Sequence, residues 1–143
     1  MAEYIENAVQ TVEAGQNILL ETAIGCNRGY VYHRNQSGIV ILRGIVNNPT
    51  ACFTRYQVTF NGNIAVPEDG TVGAISIALT IDGEPIQTSK AIVTPAAVDE
   101  YFNVTSTAII TVPKGCCFSV AVENTSAVAI NVQNANLTVA RIA

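Results

Sequence analysis

Residues that commonly carry out chemistry are scarce in this chain of 143 residues. It has one histidine, His33, and four cysteines that form no C-x-x-C pair, so neither a structural zinc site nor a site built from two histidines is predicted. Cys26 and His33 are formally able to act as nucleophile and base, but no local signature lowers the pKa of the thiol or orients the imidazole. The motifs G-x-S-x-G and G-x-x-x-x-G-K are absent. We therefore expect a protein that is not an enzyme and binds no cofactor or metal.

One short segment interleaves basic and aromatic side chains. Its members are Arg28, Tyr30, Tyr32, His33 and Arg34. Such a patch can stack on bases or sugars, and arginine and tyrosine are also enriched at protein interfaces. Because the net charge is -4 and Lys and Arg together number 7, no nucleic-acid partner is expected. We predict that this patch is a protein interface, with a ligand-binding patch as the alternative.

Two acidic pairs, Glu68-Asp69 and Asp99-Glu100, are candidate ligands for a hard cation. Neither pair lies in a D-x-D-x-D loop, which a calcium site of that type requires. We expect both pairs to solvate turns.

The four cysteines are predicted to be free thiols. Cys116 and Cys117 are adjacent in the chain, so a bridge between them would strain an extended strand, and at most one of them points into a core. Pairing of Cys26 or Cys52 with one of them stays open, but small buried apolar groups are the commoner fate of cysteine in a reducing cytoplasm.

The composition favours β-strands within one globular domain. The chain has 17 Val, 16 Ile and 14 Thr against 5 Leu and 2 Lys, and β-branched residues suit a pleated sheet. With 49% hydrophobic and 13% charged residues, one core is feasible. The longest apolar runs, such as 39–42, are far shorter than the roughly 20 residues that a membrane helix needs, and no signal peptide is predicted. No membrane partner is expected.

Alternation of apolar and polar residues marks individual strands. The clearest cases are 56–60, 75–81, 104–112 and 137–139. Segments 104–112 and 118–122 flank Pro113-Lys114-Gly115 and are predicted to form a hairpin. Weaker strands are predicted at 8–12, 18–21, 29–34, 38–46, 91–94 and 129–132.

About ten short strands without intervening helices predict an all-β fold, an antiparallel β-sandwich of the jelly-roll type. Residues 1–16 are more polar than the remainder and are predicted to form an N-terminal arm or a peripheral strand. The jelly-roll domain then covers residues 17–143.

Two features favour association of several copies. The run Ile39-Val40-Ile41-Leu42 is apolar on both faces and needs cover on both sides. The scarcity of lysine leaves little charge to protect sheet edges and outer faces. A closed homo-oligomer would bury this excess of apolar residues. The alternative is a monomeric sandwich with a Thr- and Asn-rich outer face.

A resemblance to known proteins extends over most of the chain. It is carried by segments 32–44, 66–67, 74–79, 94–97 and 131–139. These segments resemble a family of short proteins from bacteriophages and prophages of gut bacteria. More distantly, the short strands ending in 135–142 resemble the tumour-necrosis-factor (TNF) and complement-C1q-like jelly rolls at the C-termini of bacterial collagen-like spore-surface proteins and phage fibre proteins. The chain differs from those proteins in having no Gly-X-Y repeat and no tryptophan.

The resemblance implies a ten-stranded sandwich that assembles as a homotrimer, with flat sheets packed around a threefold axis. It further implies a structural virion protein on the capsid surface, either a capsid decoration protein or the head of a short fibre, with the phage major capsid protein as partner. The alternative is a carbohydrate- or receptor-binding head that uses Tyr30, Tyr32 and Arg34 to hold a host-surface glycan, or a spore-surface protein. No catalytic residue is transferred, because this fold family is mostly non-enzymatic.

Overall fold

The computed structural model describes residues 2–24, 30–34, 37–45 and 49–143. Within these residues the chain forms twelve β-strands and one 3-10 turn at Gln87–Ser89. The strands are β1 Ala2–Glu6, β2 Gln10–Val12, β3 Thr22–Ile24, β4 Val31–His33, β5 Val40–Arg43, β6 Phe53–Ala65, β7 Ile75–Ile81, β8 Glu84–Pro85, β9 Ala91–Val93, β10 Phe102–Pro113, β11 Cys117–Asn124 and β12 Ile130–Arg141. The predicted all-β fold class is confirmed.

The strands form two antiparallel sheets that pack face to face. Sheet A has the order β10-β6-β12-β1-β3, and β2 also pairs with β12. Sheet B has the order β4-β5-β11-β7-β8, and β9 also pairs with β7. The apolar side chains between the sheets form one core, whose largest buried members include Tyr4, Tyr56 and Phe60.

Strand β6 shows how the alternating pattern positions the outer face. Tyr56, Val58 and Phe60 are buried, while Arg55 and Gln57 between them are exposed. Because successive side chains of a strand point to opposite faces, the even-numbered residues face the core and the odd-numbered residues face outward. The strand predicted at 56–60 is confirmed.

Strand β12 joins two segments that the sequence separates. The buried residues are Ile130 and Val132 at its start but Leu137 and Val139 further on, so the alternation changes phase. A β-bulge explains this change: the register shifts between Gln133 and Asn136, because one extra residue lies opposite β6. The predicted strands at 129–132 and 137–139 are therefore one strand with apolar residues facing inward throughout.

The hairpin predicted around Pro113-Lys114-Gly115 is wrong, although both of its strands exist. Strand β10 pairs with β6 in sheet A, whereas β11 pairs with β5 and β7 in sheet B. The turn crosses between the sheets: the Lys114 N–H donates to the carbonyl oxygen of Cys52 beside sheet A, and the Gly115 N–H donates to that of Ile45 beside sheet B. Alternation identifies the face that a strand buries, but it does not identify its partner.

Four of the weaker predicted strands contain β2, β4, β5 and β9. The segment predicted at 18–21 forms no strand. Ile18 and Leu20 are nevertheless fully buried, and the Ile18 N–H donates to the carbonyl oxygen of Val122. Apolar alternation at this segment therefore reflects burial without strand pairing.

Residues 2–16 belong to the sandwich. Strand β1 lies between β12 and β3 in sheet A, and Tyr4 is 1% exposed in the core. Strand β2 pairs with β12 and buries Val12. These two strands extend sheet A, and the boundary predicted at residue 16 stays a prediction.

Gly38 is expected to tolerate no side chain. A Cβ atom at this position would collide with the main-chain carbonyl of Ile18, and Ile18 is held by its hydrogen bond to Val122. We expect Gly38→Ala to lower the free energy of unfolding by about 3 kcal/mol, measured by urea titration. Gly73→Ala is the control, because a Cβ at Gly73 meets no atom within 4 Å; equal losses in both variants would contradict this account.

Candidate functional site: the outer face of sheet A

The structure separates His33 from the other described members of the predicted basic and aromatic patch. Tyr32 is 46% exposed and His33 is 2% exposed, because neighbouring residues of β4 point to opposite faces. Arg34 is exposed and follows β4, whereas Tyr30 is exposed and precedes it. Arg28 lies outside the described residues. The role predicted for Tyr30, Tyr32 and Arg34 as an interface stays a prediction, but His33 does not share their surface.

His33 is a core residue. Its ring stacks on Tyr4 with a centroid separation of 4.7 Å and an interplanar angle of 25°. The Nε2 atom lies 2.8 Å from the carbonyl oxygen of Ser37, and a carbonyl only accepts, so Nε2 carries the proton and donates. This contact ties β4 to the segment before β5. His33 therefore links sheet B to sheet A through Tyr4, and it links β4 to Ser37.

Tyr30 takes part in a different cluster, where the two sheets meet at one end of the sandwich. The Arg141 guanidinium lies 4.5 Å from the Tyr30 ring centroid. Beneath them, the Tyr56 hydroxyl donates to the carbonyl oxygen of Arg43 at 2.5 Å and lies 3.3 Å from that of Tyr30. Burial raises the pKa of Tyr56, and the nearby Arg141 charge opposes that rise. These contacts fix the ends of β4, β5, β6 and β12 relative to one another.

The raised pKa of Tyr56 gives a prediction about alkaline pH. Above the ordinary pKa of 10.0, Tyr56 ionises in the unfolded chain while the folded chain keeps the proton, so stability falls as the pH rises through this range. Tyr56→Phe should lose about 1 kcal/mol at neutral pH through the missing hydrogen bond, and its stability should fall less steeply than that of the parent protein above pH 10. Urea unfolding between neutral pH and about pH 11 measures both effects. Parallel stability curves for the two proteins would refute this explanation.

The described residues hold no group of three or more His, Cys, Asp or Glu side chains that could bind a metal ion. Cys52, Cys116 and Cys117 are free and exposed, and Cys26 lies outside the described residues. No helix among the described residues is both long and apolar enough to cross a membrane.

The sequence predicted a Thr- and Asn-rich outer face only within the monomeric alternative, and it did not show that the outer face of sheet A carries it. Three neighbouring strands of this sheet, β10, β6 and β12, present short uncharged polar side chains, which we call the Thr/Asn face. The members of this face are Gln57, Thr59, Asn61, Asn63, Asn103, Thr105, Thr107, Asn136 and Thr138. The sequence signal was present, because these residues alternate with residues that face the core, but only the strand order shows that they form one surface.

Register places these side chains in rows across the sheet. One row is Thr107, Thr59 and Thr138, and the next is Thr105, Asn61 and Asn136. Cross-strand neighbours of this kind lie within contact distance. The Thr/Asn face is therefore a continuous array and not a set of isolated polar residues.

Hydrogen bonds within the sheet satisfy much of this face. The Asn103 Nδ2 atom donates to Asn61 Oδ1 at 2.8 Å and lies 3.2 Å from Asn63 Oδ1. The Thr107 hydroxyl lies 3.3 Å from that of Thr59, and the Asn136 Nδ2 atom donates to Glu3 Oε1 at 2.6 Å. Polar groups that already have partners cost less to remove from water than polar groups that lose their hydrogen bonds. The short side chains also have few rotamers to lose on burial.

The electrostatic character of this surface also suits burial. Glu3, on β1, is bonded to Asn136, and Arg55 lies beyond Gln57 at one end. The nine members of the Thr/Asn face include no ionisable side chain. Depletion of charge is typical of the centre of protein interfaces. The Thr/Asn face can be covered by another protein surface at a low electrostatic cost.

Comparison with known proteins identifies the fold. No family model matches the chain, and no curated protein matches it. Among solved structures, the globular domain of the zebrafish complement 1qA protein has a TM-score of 0.57 and 11% identity, covering 96% of this chain and 94% of that one. The vertex protein P5 of PRD1 has a TM-score of 0.50 and 12% identity, covering 99% of this chain and 96% of that one. The chain therefore has the β-sandwich fold of the C1q globular domain, as its sequence resemblance implied.

Proposed function

We propose that this protein is a non-enzymatic structural component of a phage virion. It forms a homotrimer that sits on the capsid surface as a decoration protein or as the head of a short fibre. The observation that carries the proposal is the Thr/Asn face, a continuous array of uncharged polar side chains on one side of the sandwich. An exposed strand surface that stays in water is usually protected by charge, and this one is not.

Packing around a threefold axis suits the position of this face. In a cyclic trimer each contact is heterologous, so the face of one copy meets a different surface of the next copy. Ile109 on the edge strand β10 is 62% exposed and points to the same side of sheet A. An apolar residue beside a charge-free surface suits a contact with the neighbouring copy. The C1q-like jelly rolls that the sequence resembles imply the same arrangement.

Two observations support the virion location. The sequence resembles short proteins of phages and prophages, and the fold is shared with the vertex protein P5 of PRD1. Trimerisation would make attachment multivalent, so that modest contacts from each subunit could hold the trimer on a symmetric particle.

Protein mass spectrometry of purified particles tests the location. Phage particles induced from a host that carries the gene should contain the protein after density-gradient purification, and particles from a deletion strain should bind the purified protein when it is added back. A host cytoplasmic enzyme of similar abundance serves as the control for contamination. Recovery of the protein only in the soluble lysate, or only in a spore-coat fraction, would refute the virion location.

A further inference from the structure

Most of the positive charge lies at one end of the sandwich. Four side chains form this basic end: Arg43 at the end of β5, Arg55 at the start of β6, Lys114 in the crossover turn and Arg141 at the end of β12. Main-chain contacts bring these positions together. The Arg43 N–H donates to the carbonyl oxygen of Tyr30, and the ring of Tyr30 stacks on Arg141. The Lys114 N–H donates to the carbonyl oxygen of Cys52, which is three residues before Arg55.

No Asp or Glu side chain lies in the chain segments that form the basic end. The described residues include six Lys or Arg, four of which are at the basic end, and none of the 11 Asp and Glu lies in 43–45, 49–55, 113–117 or 141–143. Glu68, Asp69, Asp99 and Glu100 lie at the opposite end, in the connections between the end of β6 at Ala65 and the start of β10 at Phe102. The positive charge of the described residues is therefore concentrated at one end of the molecule, although the net charge of the chain is -4.

Two of the arginines are held in place by aromatic rings. The Arg55 guanidinium lies 4.6 Å from the Phe53 ring centroid, and that of Arg141 lies 4.5 Å from the Tyr30 centroid. Phe53 is 38% exposed and Tyr30 is 40% exposed. Stacking restricts the guanidinium before any partner arrives, so less entropy is lost when it binds a carboxylate with two parallel hydrogen bonds.

We propose that the basic end docks onto an acidic surface of another protein, with partner carboxylates bound by Arg55 and Arg141. This inference rests on the proposed function in one respect: on a virion the acidic surface would belong to the capsid. Exposed Phe53 and Ile142, which is 48% exposed, give the end an apolar component. Arginine with aromatic and aliphatic neighbours is the composition of a protein interface, whereas nucleic acid binding needs a more extensive basic surface.

Fluorescence anisotropy with a labelled oligo-glutamate peptide of about 20 residues tests this inference on the intact protein. We expect binding at about 50 mM salt that weakens strongly at about 500 mM salt, because screening shortens the range of charge interactions. Arg55→Gln combined with Arg141→Gln should weaken binding about tenfold or more. Thr71→Glu combined with Thr94→Glu is the matched control, since it changes the net charge equally with exposed residues of other loops, and it should alter binding by no more than about twofold.

Several outcomes would overturn the inference. Absence of peptide binding at low salt, or an equal loss of binding in the control variant, would show that the basic end is not the binding surface. Tighter binding of an oligothymidine than of the peptide of equal length would show that the basic end binds nucleic acid. Self-association of the protein into larger oligomers at low salt would show that the basic end binds the acidic end of a second copy. Peptide binding by a protein that is missing from purified particles would instead refute the virion location and leave the basic end intact.

Discussion

Thr107→Lys combined with Thr138→Lys is expected to convert the proposed homotrimer into folded monomers. Both side chains belong to the Thr/Asn face, in the row that Thr59 connects. In the trimer the new ammonium group at position 107 would be removed from water without a carboxylate partner, which costs several kcal/mol. The one at position 138 lies opposite Glu3 of β1 and would add steric bulk and a shared charge to the contact. We expect association to weaken by about 3 kcal/mol or more, which is about a hundredfold in the dissociation constant. Sedimentation velocity over a range of protein concentrations measures the change.

The control variant introduces two lysines outside the Thr/Asn face. Thr71→Lys combined with Thr94→Lys adds equal charge at exposed loop positions, so the trimer should persist. A thermal melt of both variants shows whether the protomer is intact. Persistence of the trimer in the Thr107 and Thr138 variant would exclude the Thr/Asn face as the contact surface.

Tyr4→Ala should be the most damaging single substitution in the first strand. Tyr4 is 1% exposed, packs in the core and stacks on His33, so truncation leaves a cavity between the sheets. We expect a loss of about 3 to 5 kcal/mol, a large fraction of the stability of a domain of this size. Urea unfolding monitored by circular dichroism gives the value.

Tyr32→Ala is the matched comparison, because it is the same substitution at a side chain that is 46% exposed. Tyr32→Ala should change the free energy of unfolding by no more than about 0.5 kcal/mol. If Tyr4→Ala were equally mild, β1 would not contribute to the core, and residues 1–16 would again be candidates for an attachment arm.

Local sequence patterns predicted the strands better than their pairing. Alternation at 56–60 gives the correct faces of β6, since successive side chains of a strand point to opposite faces. The partners of a strand depend on distant segments, so the apparent hairpin at Pro113 is two strands of different sheets. The bulge of β12 was hidden for a related reason: a one-residue insertion looks like the end of one strand and the start of another.

The candidate site shows the same limit. Each short run of Thr and Asn was visible in the sequence, but the row of Thr107, Thr59 and Thr138 joins three strands that are far apart along the chain. The contact between Tyr30 and Arg141 likewise needs the folded sandwich. His33 does not belong to the patch predicted from residues 28–34, because adjacent residues of a strand face opposite sides. Strand alternation in the sequence already indicated this separation.

The most direct test of the account is the solution mass of the unmodified protein, measured by light scattering coupled to size-exclusion chromatography. We expect a single species of three times 15.1 kDa, unchanged by reductant because the described thiols are free. A monomer at micromolar concentration would contradict it, since the Thr/Asn face would then be an ordinary solvated surface.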